Sequence, residues 1–323
     1  MKPKLFLTRE LPEEGMKKLS GYFDMEYNSE DRVLSKQEII AGISGKDALL
    51  CLLTDTIDRE VIESNPNLKV ISNYAVGYNN IDVKAATELG IPVCNTPGVL
   101  TETTADLAWA LIMAAARRIT EGDRFVRAGK FKGWGPLMLL GGDVFGKTLG
   151  IVGMGRIGLA TARRAKGFGM RILYTNRSVS REAEEELRAK KVELSELLSE
   201  ADIVSIHVPL TEETRHLIGE KELAAMKPSA ILVNTARGPV VDESALVEAL
   251  RSNRIRAAGL DVYENEPEVH PGLFELENVV LLPHLGSATI ETRTKMALMA
   301  AENAIAVFER KTPAAIVNPE VLS

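Results

Sequence analysis

The stretch that most constrains this chain is Leu149-Gly150-Ile151-Val152-Gly153-Met154-Gly155-Arg156-Ile157-Gly158. An apolar run ends in Gly-x-Gly-x-x-Gly, and an amphipathic run follows from Leu159 to Lys166. That order predicts a buried strand, a tight turn and the first turn of a helix. Gly153 is expected to allow the turn, Gly155 to let the backbone approach a pyrophosphate, and Gly158 to let helix and strand pack closely. Unpaired N–H groups at such a helix start, aligned with its dipole, favour an anion.

The rest of the chain repeats this alternation. Strand-like runs are expected at residues 4–9, 23–27, 48–53, 69–75 and 92–95, with helical spacing at 12–19, 36–43, 58–65 and 81–89. Beyond the glycines, strands are expected at 171–175, 202–208, 230–235, 257–262 and 279–282. Helices are expected at 181–190, 194–198, 220–226, 243–250 and 289–310. Alternating strands and helices imply parallel sheets covered on both faces. The chain thus reads as α/β, and 323 residues are enough for two domains with their own cores.

A helix from Thr101 to about Thr120 joins the two halves and is apolar nearly all round between Ala105 and Ala116, so it is expected to be covered on every side, both between the domains and in a homodimer interface. After it, the glycine-rich loop Gly129–Gly142 carries Trp134 and Met138, an apolar surface suited to a partner subunit, an active site or plain core packing.

With 39 Lys and Arg against 45 Asp and Glu, the net charge of −6 argues against nucleic acid and anionic membranes as partners. The run 105–116 is too short to span a bilayer, and the N-terminus leads straight into a strand pattern, so a cytoplasmic location is expected. Cys51 and Cys94 both lie in apolar runs, and four scattered histidines give no metal spacing.

In open parallel sheets ligands bind beyond the carboxyl ends of the strands, which directs attention to the residues that follow each one. After the strand 171–175 stands Asn176-Arg177-Ser178, with no acid from Arg171 to Arg181. An acid there would hold ribose hydroxyls. Arg177 instead suits a 2′-phosphate, so NADP(H) is expected in preference to NAD(H), with NAD(H) still possible. Later strand ends carry Thr235-Ala236-Arg237, then Asp261 to Glu266, then His284. An Arg in apolar surroundings needs an anion. A carboxylate beside His284 would favour the imidazolium needed of a general acid. Glu266 is the natural partner, with Asp261 and Glu264 as rivals. His207 reads as lining a cofactor pocket, and His216 and His270 as solvated. In the first half, Asn73–Asn80 contains Gly77 after a strand, either a carboxylate cradle or a simple turn.

With these residues assembled, the chain resembles the D-2-hydroxyacid dehydrogenases over nearly its whole length. The resemblance rests on Asn73–Asn80, Thr96-Pro97-Gly98 through Asp106, Gly153–Gly158, His207–Thr211, Asn234–Gly238, Gly259–Pro267 and Pro283–Ser287. Residues 75–80, 96–101 and 125–127 are most similar to the glyoxylate/hydroxypyruvate reductase branch. The resemblance implies two Rossmann-like parallel-sheet domains flanking an interdomain cleft. The first, substrate-binding domain would be discontinuous (1–98 plus 288–323), and the dinucleotide-binding domain would span 99–287, with hinges near 98 and 287.

It also implies the site. Arg237 would bind the carboxylate of a small 2-keto acid, His284 would protonate its carbonyl oxygen, and Glu266 would hold His284. Val76 and Gly77 would offer backbone amides, and Leu53 and Leu100 would line the pocket. Trp134 would reach a neighbouring subunit's site in a homodimer built through the cofactor domain. Cofactor contacts are implied for Thr104, Gly153, Gly155, Arg156, Ile157, Gly158, Asn176, Arg177, Ser178, His207, Val208, Pro209 and Thr214. They are implied also for Thr235, Ala236, Arg237, Asp261, His284 and Gly286.

Glu266 stands where formate dehydrogenases carry Gln, which argues against formate. The absence of residues beyond 323 argues against the regulatory domain of longer phosphoglycerate dehydrogenases. Other readings are a dehydrogenase for D-lactate, D-3-phosphoglycerate or phosphite, or a dinucleotide-sensing, corepressor-like binding protein.

Overall fold

Every pairing between the twelve strands of the computed structural model, which describes residues 1–322, is parallel. The chain divides into two compact units, one formed by Met1–Leu100 with the segment from Ser287 onward, the other by Thr101–Gly286.

In the first unit, β1 (Lys4–Leu7), β2 (Asp24–Tyr27), β3 (Ala48–Leu52), β4 (Val70–Tyr74) and β5 (Val93–Cys94) lie in the order 2-1-3-4-5. The direction of strand succession reverses between β1 and β3. The central strand β3 reads as an unbroken apolar run, Ala-Leu-Leu-Cys-Leu, as a strand covered on both faces does. Side-chain caps set the helix starts: Ser35 and Glu38 form a reciprocal box, and Asp58 and Asp82 accept the N–H groups of Val61 and Ala85. The helix Ile290–Phe308 packs against β4, where Ser72 Oγ donates to Ala300 O (2.9 Å) and Tyr74 OH to Arg293 O (2.8 Å). It also lies close against the helix Glu13–Tyr22, since a Cβ on Gly15 would fall 2.5 Å from that of Ala297.

In the second unit, β6 (Thr148–Val152), β7 (Arg171–Thr175), β8 (Lys190–Lys191), β9 (Ile203–Ile206), β10 (Ile231–Asn234), β11 (Ala257–Leu260) and β12 (Val279–Leu281) lie in the order 12-11-10-9-6-7-8. The order reverses between β6 and β9, the kind of switch point at which such sheets take ligands. One core layer gathers Val152, Val204, Leu232, Leu246 and Leu250, and another Leu111, Ile112, Leu149, Ile151 and Tyr174.

Two expectations need correction. The helix beginning at Thr101 stops at Ala116, because Arg118 takes a left-handed φ of 54°, and a second helix runs from Ile119 to Arg127. Gly142 N–H satisfies Ala116 O (2.8 Å), and Gly141 packs so near that a Cβ would lie 2.4 Å from that oxygen. Likewise, the expected helix 181–190 ends at Leu187, and Lys190–Lys191 pairs with β7 as an edge strand, where lysines discourage further pairing. The short helix Pro271–Phe274 has too little periodicity to be read from sequence. No helix among the described residues is long and apolar enough to cross a membrane.

Candidate active site

The glycine turn leaves β6 at the switch point. Gly153 has a φ of 99°, and a Cβ there would fall 2.8 Å from the backbone of His207 and Val208. Gly158 sits against the turn itself, where a Cβ would come within 2.1 Å of Gly153 O. Gly155, at the start of the helix Arg156–Ala165, differs from both: among the described residues, its own chain neighbours aside, no atom lies within 4 Å of its would-be Cβ. Two glycines are therefore required by the protein's own packing, while the third faces open space. That is the form of a pyrophosphate cradle.

The neighbouring strand ends fit the same ligand. Among the described residues, the buried Thr235 Oγ1 and Asp261 Oδ2 make no hydrogen bond. Leaving such an atom unpaired costs about 1–3 kcal/mol, which a bound polar group would recover. Burial pushes the Asp261 carboxyl up to about 6, against the N–H groups of Leu285 and Gly286 and the charge of His284. Thr104 Oγ1 donates to Gly286 O (2.9 Å), anchoring the end of this unit to its first helix. His207 ends β9, and burial pushes its imidazole down to about 3. Its Nε2 lies 2.9 Å from Ser205 Oγ. Thr214 clasps the turn begun at Val208 by donating to Pro209 O (2.7 Å) and accepting Thr211 N–H (2.8 Å).

Beyond β7, Asn176 Nδ2 donates to Ser178 O (3.1 Å) and Arg177 is exposed. Tyr174, fully buried in β7, holds this loop from behind, its hydroxyl accepting Ser180 N–H and bonding Glu184 (both 3.0 Å).

Arg237, Glu266 and His284 come from the loops after β10, β11 and β12. Asn234, buried at the end of β10, shapes the first loop by accepting Ala236 N–H (3.0 Å) and donating to Arg237 O (2.9 Å). Burial lowers the pKa of the Arg237 guanidinium, and the charge of Glu266 opposes that. Glu266 Oε1 accepts Tyr263 N–H (2.9 Å), and Oε2 lies 2.8 Å from His284 Nδ1. Burial pushes the Glu266 carboxyl up. The bond to His284, the charges of His284 and Arg237, and the Tyr263 amide outweigh this and hold it below the ordinary range. His284 is left-handed (φ 56°), a strained conformation fixed because its N–H donates to Asp261 O (2.9 Å) and Leu285 N–H to Asp261 Oδ1 (2.6 Å).

The geometry thus pairs His284 with Glu266 and gives its rivals other tasks. Asp261 clamps the His284 loop. Glu264 lies 2.6 Å from His216 Nε2 and its backbone N–H and carboxylate bond Glu243, so His216 contacts a carboxylate rather than being merely solvated. His270 caps the short helix at 271, accepting Gly272 N–H (3.1 Å). The sequence alone did not single out Asn234, Tyr174, Tyr263 or Glu243. Each acts by holding a loop, and of the four Asn234 alone carried a signal, as a polar residue that ends a strand.

Gly238 joins two of these loops. A Cβ there would fall 1.8 Å from the carbonyl carbon and oxygen of Tyr263, so the Arg237 loop rests directly on the backbone that leads to Glu266.

In the first unit, Val76 and Gly77 form the turn after β4, Leu53 follows β3, and Leu100 is buried. Trp134 is 82% exposed, among Phe131, Leu137, Leu140 and Phe145, which are exposed as well, and so is not a core-packing aromatic.

Comparison with known proteins matches residues 109–286 to the D-isomer specific 2-hydroxyacid dehydrogenase NAD binding domain. A glyoxylate reductase of Korarchaeum cryptofilum is 57% identical, covering 100% of this chain and 98% of the relative. A crystal structure of a Thermus thermophilus protein superposes with a TM-score of 0.91 at 46% identity, covering 97% of this chain and 99% of the other. An NADPH-dependent glyoxylate/hydroxypyruvate reductase of Sinorhizobium meliloti, solved with NADP and malonate, gives 0.88 at 32% identity over 98% and 97%.

Proposed function

Because the chain belongs to the D-isomer specific 2-hydroxyacid dehydrogenase family, we propose that it reduces glyoxylate or hydroxypyruvate to the D-2-hydroxy acid, with NADPH preferred to NADH. The observation that carries the reading is the 2.8 Å His284–Glu266 contact, under the charge of half-buried Arg237, in the same unit as a glycine turn whose middle glycine faces open space.

When bound, the nicotinamide would supply the hydride that reduces the carbonyl carbon. The chain's own residues do the rest. Glu266 occupies His284 Nδ1, which leaves Nε2 as the donating edge of the ring. In reduction the Nε2 proton passes to the carbonyl oxygen, while the anionic Glu266 stabilises the imidazolium beforehand. Arg237 pairs with the substrate carboxylate and draws electron density from the carbonyl group. Backbone amides at Val76 and Gly77 receive the carboxylate, with Leu53 and Leu100 lining the pocket. Thr104, Thr235, Ala236, Asp261 and Gly286 contact the cofactor, as do the residues from Gly153 to Gly158, Asn176 to Ser178, and His207, Val208, Pro209 and Thr214.

The acid-free loop and exposed Arg177 support the 2′-phosphate preference. The exposed apolar side chains between Phe131 and Phe145 support a homodimer built through this unit, with Trp134 reaching the partner.

Turnover of NADPH and NADH with a panel of 2-keto acids tests the reading. Glyoxylate and hydroxypyruvate should give the highest kcat/KM, and His284→Ala should nearly abolish turnover while NADPH still binds. A preference for pyruvate or 3-phosphohydroxypyruvate would overturn the substrate assignment. Loss of NADPH binding together with turnover would overturn the role of His284.

A further inference from the structure

Asn73 is an unusual residue for its place. It lies in β4, a central strand buried on both faces, and is itself fully buried. An amide in such a position costs about 1–3 kcal/mol unless it is bonded. Among the described residues its Oδ1 has only a thiol for a partner, Cys51 Sγ at 3.6 Å. Its Nδ2 has two stronger partners, Gly77 O at 2.9 Å and Asn80 Oδ1 at 3.1 Å. Asn80 passes the connection on, donating to Leu52 O (3.0 Å) and Asp55 O (3.1 Å). One chain of amides therefore ties the turn after β4 to the turn after β3.

The turn after β4 has three consecutive carbonyls, each held by its own donor. Ala75 O accepts Thr96 N–H, Val76 O accepts Asn95 Nδ2, and Gly77 O accepts Asn73 Nδ2, at 2.8, 2.8 and 2.9 Å. In a trans peptide the N–H points opposite to the C=O. Fixing these carbonyls therefore aims the N–H groups of Val76, Gly77 and Tyr78 away from their donors. Among the described residues those three amides make no hydrogen bond, and Val76 to Tyr78 are partly or fully exposed. A row of convergent amides is an anion receptor.

We propose that Asn73 is a positioning residue for substrate binding: through Gly77 O it fixes the last peptide plane of a three-amide row, Val76, Gly77 and Tyr78, that receives the substrate carboxylate. This rests on the reductase reading above, and it adds Tyr78 N–H to the receptor and assigns its alignment to a side chain that never touches substrate. Asn80 braces Asn73 from the second turn.

The test compares wild type, Asn73→Ala and Asn80→Ala in steady-state reduction of glyoxylate, in inhibition by oxamate, and in NADPH binding by fluorescence. Asn73→Ala should raise the glyoxylate KM and the oxamate Ki about tenfold, while the NADPH Kd stays within twofold and the pH profile of kcat is unmoved. Asn80 is only half-buried, so its replacement avoids a core cavity and covers the case in which Asn73→Ala fails to fold. It should raise both constants about threefold. If KM and Ki stay within twofold of wild type in the folded variants, the role of Asn73 is refuted. Equal losses in kcat, KM and NADPH binding would also refute it, since they mark a purely structural residue. A wild-type protein that reduces no 2-keto acid would instead refute the reductase reading itself.

Discussion

Gly238→Ala tests whether the loops proposed as catalytic are held by backbone contact. The added methyl would meet Tyr263 C and O at 1.8 Å and Glu264 N at 2.4 Å. These are backbone atoms, so no side chain can swing aside. An ordinary carbon contact near 3.5 Å requires the loops to part by roughly 1.7 Å. The movement falls between Arg237 and the segment whose Tyr263 N–H holds Glu266 Oε1. It should therefore separate Arg237 from the His284–Glu266 pair. Misplacement on this scale costs about a hundredfold in rate, or about 2.7 kcal/mol of transition-state stabilisation. Overpacking should also remove about 1–3 kcal/mol of stability. The assay is steady-state reduction of glyoxylate beside NADPH binding. The expected result is a hundredfold loss of kcat with NADPH affinity nearly intact, because the glycine turn at β6 is untouched. A folded variant with kcat within fivefold of wild type would refute the claim that this contact sets the geometry.

Other consequences follow from the same structure. Gly155→Ala should leave the melting temperature of the free protein unchanged but weaken NADPH at least tenfold, since its methyl would enter the open space proposed for the pyrophosphate; unchanged NADPH affinity would contradict the cradle. Arg177→Ala should weaken NADPH far more than NADH, and equal weakening would sink the 2′-phosphate assignment. His207 resists protonation until about pH 3, whereas its ordinary value is 6.5, so the folded state is favoured above pH 6.5 and loses that advantage as the pH falls towards 3. By pH 4.5 the loss should be about 3 kcal/mol. Unfolding of the free protein followed against pH should show it in wild type and not in His207→Gln; parallel pH curves for the two would exclude this origin.

Much of the fold was legible because period and punctuation agree. Ser35 followed by Glu38, and strands such as 171–175, announce themselves through local chemistry alone. The misreadings share a cause. Arg118 and Arg188 break helices by adopting left-handed backbone, which no propensity of arginine signals. The β8 edge is two lysines paired across to Leu173 and Tyr174, and pairing is a property of the sheet rather than of the segment. At the site, side chains that would touch a ligand were visible as charged or hydroxyl residues after strands. The residues that hold them were not. Asn73 and Asn234 looked like parts of motifs, and only the observed hydrogen bonds reveal that each one shapes a loop.

The interruption of the first unit has a consequence for synthesis. Its sheet is complete by Cys94, yet Ser72, Tyr74 and Asn95 bond to the helix Ile290–Phe308, and Val93 N–H to Asn318 Oδ1 (2.7 Å). The ribosome must make all of Thr101–Gly286 before those partners exist, a wait on the order of 10–40 s at ordinary elongation rates. During that interval β4 and β5 lack part of their cover, while the second unit is contiguous and can fold as it emerges. The outer cover of β4 and β5 is thus among the last parts of the molecule to set, although the donors that hold the turn after β4, Asn73, Asn95 and Thr96, are all made early.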